Sequence, residues 1–484
     1  MDRGILTHWW GRPGNRRQTP AGNSSTASRP RGRRSVPPPA LLALALLTSI
    51  LVGSVLLELP FAQRNATLTW LDTLFTATSA TCVTGLVVVD TGSQFTGIGQ
   101  LIILLLIQIG GLGVMTTGTL VLIALGQHPT GAVQHLLTGY ASHRPTLRAR
   151  DILGTVVLTT FVVESIGAVL LYLAFAPTHP LPEALWLAIF HSVSAFCNAG
   201  FALWPDSLTR YATDPLVNVT IGGLTLIGGL GFVVIVELRH WLASGLARRK
   251  HHVRLSVHTK IVLAATVIAF TVGTGLFLLL EARNVLVGRT WSDALWIASF
   301  HAVAVRTAGF NTVDIQSLSN PTLLLMLALM FIGAGPGSMA GGIKLTTATV
   351  VAALVAYRIR GNKEVCIFAR AVGESTIQRA VVLTVLAVIL VASTVAVMEV
   401  ARNSGPPNTA DRAEVLAVVF EAVSAFGTVG LSMGITAELG TIEKLVIILL
   451  MFVGRLGPLA LMDFFAHLPP SPPIRHAKEE LMVG

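Results

Sequence analysis

An all-α polytopic membrane protein built from four tandem repeats is the fold class this sequence predicts, and three observations predict it. Of the 484 residues, 52% are hydrophobic and only 12% charged, the composition of a chain that sits in lipid rather than in water. Apolar stretches of membrane-crossing length recur along it. Between alternate stretches a shorter apolar segment runs into a glycine, four times over: Phe75–Leu86, Phe190–Phe201, Phe300–Phe310 and Phe420–Leu431.

The long stretches lie near 40–58, 97–126, 152–175, 215–242, 261–281, 321–356, 379–400 and 441–464. As helix, each is long enough to cross about 30 Å of hydrocarbon. An even number of crossings returns both termini to one side. The loops 127–151, 243–260 and 357–379 gather Arg144, Arg148, Arg150, Arg248, Arg249, Lys250, Arg254, Arg358, Arg360, Lys363, Arg370 and Arg379. By the positive-inside rule these loops, and both termini with them, are expected in the cytoplasm of a multi-pass protein of the cell membrane. The same rule accounts for the net charge of +10 and removes the reason to expect nucleic acid.

The arginine-rich residues 1–38 are expected to form a disordered cytoplasmic tail, and 466–484 a second cytoplasmic tail. The run Leu41–Leu57 exceeds a signal-peptide core and no small-residue cleavage site follows it, so it is expected to be a retained first span. Cys82, Cys197 and Cys366 are too scattered for a disulfide framework or a zinc-ligand spacing and read as small apolar residues.

The shorter segments, at 69–80, 184–196, 291–304 and 413–425, reach only about half a membrane thickness as helices. Acids and capping residues open them: Asp72 after Thr69, Glu183 after Pro182, Asp293 after Ser292, Glu414 after Asp411. Each is expected to dip into the membrane and return at Gly85, Gly200, Gly309 or Gly430, which recur at intervals of about 110 to 120 residues. The repeat is therefore span, re-entrant helix, glycine turn, span. Two full crossings per unit keep successive units in one orientation, so they are related by an axis along the membrane normal. The expected units are 39–126, 152–246, 259–358 and 377–465, in pseudo-fourfold arrangement.

Irregular backbone at membrane depth survives only where it is buried in protein or lines a watery cavity. Four turns around one axis meet that condition, and glycine permits the positive φ that aims successive carbonyls inward, where they replace an ion's hydration shell. A desolvated monovalent cation is the expected guest. A lone A-G-F or V-G-L is usually a helix-ending glycine; four in register argue otherwise.

The loops Thr81-Cys82-Val83-Thr84-Gly85, Asn198-Ala199-Gly200-Phe201, Arg306-Thr307-Ala308-Gly309-Phe310 and Gly427-Thr428-Val429-Gly430-Leu431 resemble the four filter loops of the Ktr/Trk potassium transporter family. The resemblance covers about residues 39 to 465. It implies a potassium-channel-like architecture and potassium uptake, with sodium either permeant or coupled. It assigns the ion to Val83, Thr84, Gly85, Asn198, Ala199, Gly200, Thr307, Ala308, Gly309, Thr428, Val429 and Gly430. It also implies a homodimer on a cytoplasmic ring of nucleotide-binding, RCK-type regulatory subunits, so that nucleotide acts only through the partner.

Polar residues follow the leading phenylalanines. His191 and His301 are expected as hydrogen-bonded scaffold, since no third ligand shares their spacing. Glu421 is expected to pair with Arg306 of the neighbouring repeat, as a brace behind the filter, because a buried acid at this depth requires compensation.

The sixth span is interrupted by Gly333–Lys344, reading GAGPGSMAGGIK. A phosphate-binding loop is excluded because the lysine does not directly follow the last glycine, and apolar residues continuing to Ala356 argue against a turn at the membrane edge. The run resembles the intramembrane loop of the same family, which implies a gate hinging on Gly335, Gly337, Ser338, Gly341 and Gly342. Arg455 is the only charge deep in the last span; the resemblance places it near the gate, repelling cations or anchoring the closed loop, with Lys344 assisting. Its alternative is snorkelling to the surface. A polytopic enzyme would need a catalytic motif such as HExxH or GxSxG, which is absent, and an inverted-repeat secondary transporter would show breaks in paired positions. Anionic lipid explains the basic loops as well as a protein partner does.

Overall fold

The computed structural model describes residues 38–65, 67–112, 149–246, 255–402 and 412–457. The expected tails, the end of the second span, the basic residues of 127–148 and 248–254, and Asp411 lie outside the described residues. The described residues are mostly helical, as expected; among them the only strands are the two short ones of a hairpin, Cys366–Ile367 with Arg370–Ala371, in the loop 357–379.

Each repeat places a short helix between longer ones. The first holds α1 (Pro38–Glu58), α2 (Trp70–Thr81) and α3 (Gly97–Gly111). The second holds α4 (Ala149–Phe175), α5 (Leu181–Phe196), α6 (Pro215–Leu230) and α7 (Phe232–Leu246). The third holds α8 (Val257–Glu281), α9 (Trp291–Ala304), α10 (Asn320–Phe331) and α11 (Leu345–Ile359). The fourth holds α12 (Glu374–Arg402), α13 (Arg412–Gly427) and α14 (Thr441–Leu456). By length and composition, three described helices, within α4, α8 and α12, cross a membrane unaided, and the bent pair α6 and α7 makes a fourth candidate.

The short helices begin where the sequence puts their caps. Thr69 and Asp72 form a reciprocal capping box on α2, the Thr69 hydroxyl accepting from the Asp72 amide and the Asp72 carboxylate from the Thr69 amide at 3.1 Å. Thr290 caps α9 by accepting from the Asp293 amide at 3.2 Å. Pro180 precedes α5, with Pro182 in its first turn, where the missing N–H breaks no helical bond.

The crossing helices turn aliphatic side chains outward. Leu158, Ile166 and Val169 of α4, Val267 and Ile268 of α8 and Val385 and Ile389 of α12 are all more than half exposed, as expected of a lipid-facing belt. The short helices are instead buried in the centre. Phe75, Phe190 and Phe420 have no exposed surface and Phe300 almost none. At the end where α2 and α14 begin, Lys444 pairs with Asp72 at 2.8 Å, joining the last repeat to the first, and Arg402 pairs with Glu443 at 2.5 Å.

One span departs from expectation. The fourth stretch, read as continuous over 215–242, bends by 98° between α6 and α7. Gly231 makes the break, with φ of 87°, a conformation that residues bearing a Cβ rarely adopt.

Candidate functional site

The four glycine turns meet. Gly85, Gly200, Gly309 and Gly430 all have positive φ, between 68° and 94°. A Cβ on Gly85 would stand 2.5 Å from the carbonyl oxygen of Ala199, and one on Gly200 would stand 2.8 Å from that of Ala308. Likewise Gly309 abuts the Val429 carbonyl, and Gly430 abuts that of Thr84. Each repeat thus leans on the next and the fourth closes on the first. Two places before each glycine stand Val83, Asn198, Thr307 and Thr428, also at positive φ. Alternation of left-handed and ordinary backbone turns neighbouring carbonyls to the same side, the arrangement a carbonyl-lined ion path requires.

Serines behind the turns hold them. Ser79 Oγ accepts from the Gly85 amide and Ser424 Oγ from the Gly430 amide, both at 3.1 Å, while their carbonyls accept from Thr84 and Val429 at 2.8 Å. Ser194 does the corresponding work by donating to the Phe201 carbonyl at 2.8 Å. The third repeat, one residue shorter from Phe300 to Gly309, has Ala304 there, whose carbonyl receives both Ala308 and Gly309 amides. These serines are not among the sequence-derived candidates, although Ser-Ala six residues before the glycine recurs in three repeats. The Asn198 side chain meets Thr307 Oγ1 at 3.1 Å, tying the second turn to the third.

The expected Glu421–Arg306 brace does not form. Glu421 accepts from Ser432 Oγ at 2.8 Å and Thr436 Oγ1 at 2.5 Å, both in its own return segment. Arg306 is buried and its Nε has no hydrogen-bond partner. The reason is helical phase: the position after the leading phenylalanine faces the chain returning from its own turn. His191, at the same place in the second repeat, does likewise, its Nδ1 donating to the Leu187 carbonyl at 2.8 Å and its Nε2 accepting from the Leu203 amide at 3.3 Å. His191 is thus hydrogen-bonded scaffold. His301 is not, since neither ring nitrogen has a hydrogen-bond partner; its ring stacks on Phe277 with centroids 5.2 Å apart.

The glycine-rich run 333–344 lies against the turns and the broken span together. The Gly341 amide donates to Thr428 Oγ1 at 3.0 Å, and Gly342 packs on Gly427. At the aligned position the other repeats carry Cys82, Cys197 and Arg306, so only the fourth leaves room for close backbone approach. On the other side, the amides of Gly335 and Met339 donate to the carbonyls of Gly229 and Gly228, at 3.0 and 3.2 Å, and the Phe232 amide donates to the Gly337 carbonyl at 3.2 Å. The break at Gly231 therefore exists to pair with the loop: each satisfies backbone groups the other leaves open at membrane depth. Ser338 Oγ accepts from the Ala340 amide, and Lys344 Nζ donates to the Ala340 carbonyl at 2.5 Å. Arg455 is buried, which rules out snorkelling, and donates to the carbonyls of Met339 and Gly110.

Comparison with known proteins fits this geometry. The sequence model of the family described as "TrkH: Cation transport protein" matches residues 46–477. The chain belongs to that family. Among TrkH-family relatives, Ktr system potassium uptake protein B of Bacillus subtilis (strain 168) is 40% identical over 452 residues, 92% of this chain and 97% of that protein. The protein of the same name from Vibrio alginolyticus is 38% identical, covering 92% and 95%. Potassium/sodium uptake protein NtpJ of Enterococcus hirae is 35% identical, covering 89% and 93%. These relatives are named for uptake, not for catalysis, in keeping with the absence of a catalytic motif. The crystal structure of the potassium transporter TrkH from Vibrio parahaemolyticus superposes with a TM-score of 0.67 at 18% identity, covering 90% of this chain and 86% of that one. That likeness establishes the shared TrkH fold.

Proposed function

We propose that this chain is the pore-forming subunit of a potassium-uptake system. The observation that carries the reading is the closed ring of glycine turns, in which the glycine of each repeat abuts a carbonyl of the next. Val83 to Gly85, Asn198 to Gly200, Thr307 to Gly309 and Thr428 to Gly430 would strip and re-coordinate a potassium ion through backbone oxygens. Sodium is the second expected ion, as the name of one relative pairs it with potassium.

The run 333–344 is the gate in this reading. It is held closed by Arg455 on Met339, by Gly341 on Thr428 and by the bonds to the broken span, and opening releases these together. Water entering the cavity then takes over the freed backbone groups. A guanidinium at the foot of the path also repels cations while the loop is shut.

Relatives are named as members of a Ktr system, which supports a second component. We assign that component to a cytoplasmic ring of nucleotide-binding, RCK-type subunits, with this chain as a homodimer among membrane lipids. Both termini are cytoplasmic and the membrane is the plasma membrane. Nucleotide acts only through the ring.

Radioactive rubidium and sodium uptake into potassium-uptake-deficient cells, with and without a co-expressed regulatory subunit, tests this. Rubidium uptake that potassium competes away is expected. Absence of such uptake in both settings, with the protein present in the membrane, overturns the reading.

A further inference from the structure

A buried acid outside the ring has no cationic partner among the described residues. Glu164, in the middle of α4, is only 5% exposed. Its Oε2 accepts from Gln108 Nε2 at 3.2 Å and its Oε1 lies 3.8 Å from the Cys197 thiol, which also lies 3.6 Å from Gln108 Oε1. Its main-chain carbonyl accepts from Ser192 Oγ of α5 at 2.7 Å. Two contacts, one from α3 and one from α4, therefore end at Cys197, the residue before Asn198.

The Gln108 amide donates to one carboxylate oxygen, and the single thiol proton of Cys197 lies between Glu164 Oε1 and Gln108 Oε1, so the acid is held by neutral groups alone. A charge at this depth is expensive and is retained where something compensates it. Uncharged amide and thiol donors compensate it only in part. Two features point to a cation in the permeation path as the remainder. Cys197, fully buried, immediately precedes Asn198 of the second filter turn. Two residues beyond Gln108 on α3, the Gly110 carbonyl takes the Arg455 guanidinium, so the same helix end carries a positive group toward the path and braces a negative one behind it.

We infer that Glu164 is a positioning residue whose negative charge, held by Gln108 and Cys197, deepens the potential for a monovalent cation at the second turn and offsets the positive charge of Arg455. It acts through the field and through Cys197, without touching the ion. The inference rests on the proposed potassium-uptake reading.

The test uses full-length protein in liposomes. Potassium competition against radioactive rubidium uptake gives a half-saturation value for each variant. For Glu164→Gln, which keeps shape and removes charge, half-saturation is expected to rise about tenfold with the maximal rate retained; Glu164→Asp is expected in between. Wild-type half-saturation in folded Glu164→Gln overturns the inference. So does an equal loss in Asp and Gln variants, which marks a purely steric role. Should Glu164→Gln fail to fold, Gln108→Lys sets a cation against the intact carboxylate and is expected to give the same rise; unchanged half-saturation there overturns it. Failure of the wild type to take up rubidium defeats the uptake reading instead, so the two failures are distinct.

Discussion

Arg455 donates to the carbonyl of Met339, so the last crossing helix grips the loop that interrupts the sixth span. The same guanidinium holds the Gly110 carbonyl at the end of α3. One side chain thus ties three repeats together directly beneath the turns.

Removing it should free the loop. Arg455→Ala is expected to raise basal rubidium flux in proteoliposomes lacking any regulator by at least about tenfold, the consequence of losing two charge-assisted bonds of roughly 1.5–3 kcal/mol each. Arg455→Lys retains charge but not the two-pronged geometry and is expected to leak as well. Flux equal to wild type in both variants counts against the anchoring role.

Gly309 tests the ring. Its φ of 70° and its contact with the Val429 carbonyl leave no room for a Cβ. Gly309→Ala is expected to lose at least about tenfold in potassium-over-sodium discrimination, given roughly 1–2 kcal/mol of left-handed strain before any steric clash. Preserved selectivity in a flux ratio would remove the turn from the filter.

Ser79→Ala and Ser424→Ala each leave a glycine amide without its acceptor, buried at Gly85 and half-buried at Gly430, at about 1–3 kcal/mol for the buried one and less for the other. Lower selectivity is expected in both, and more so in the double variant. Because Ala304 already fills this place in the third repeat, Ala304→Gly is expected to leave selectivity near wild type.

The partner assignment of Glu421 is open to a double-mutant cycle. Unfolding free energies should show coupling of about 1 kcal/mol or more between Glu421→Gln and Thr436→Val, which share a hydrogen bond, and additivity within about 0.5 kcal/mol between Glu421→Gln and Arg306→Met. Coupling to Arg306 would restore the brace.

Asp72 and Lys444 close the fourth repeat on the first. Exchanging them, Asp72→Lys with Lys444→Asp, should recover the ion-pair share of the loss, about 1 kcal/mol or less, while the Thr69 capping box that Asp72→Lys removes stays lost. That recovery should shrink as salt is raised in a thermal-unfolding series.

The amino-acid sequence by itself determined the class, the fourfold repeat and the positions of the turns. Those properties are written in local terms: a crossing helix must be apolar along its length, and a left-handed backbone site favours glycine, so Gly85, Gly200, Gly309 and Gly430 stand out once the four segments are set in register, whereas the positive φ of Val83, Asn198, Thr307 and Thr428 leaves no such sign. The caps at Thr69 and Asp72 are equally local. What only the tertiary structure decided is which groups meet. Glu421 turned to Ser432 and Thr436 rather than to Arg306 because helical phase aims it at its own return segment. The bend at Gly231 was hidden because a glycine in an apolar run serves a straight helix or a broken one. Only the loop 333–344, arriving from the next repeat with unpaired amides of its own, makes the break the lower-energy choice.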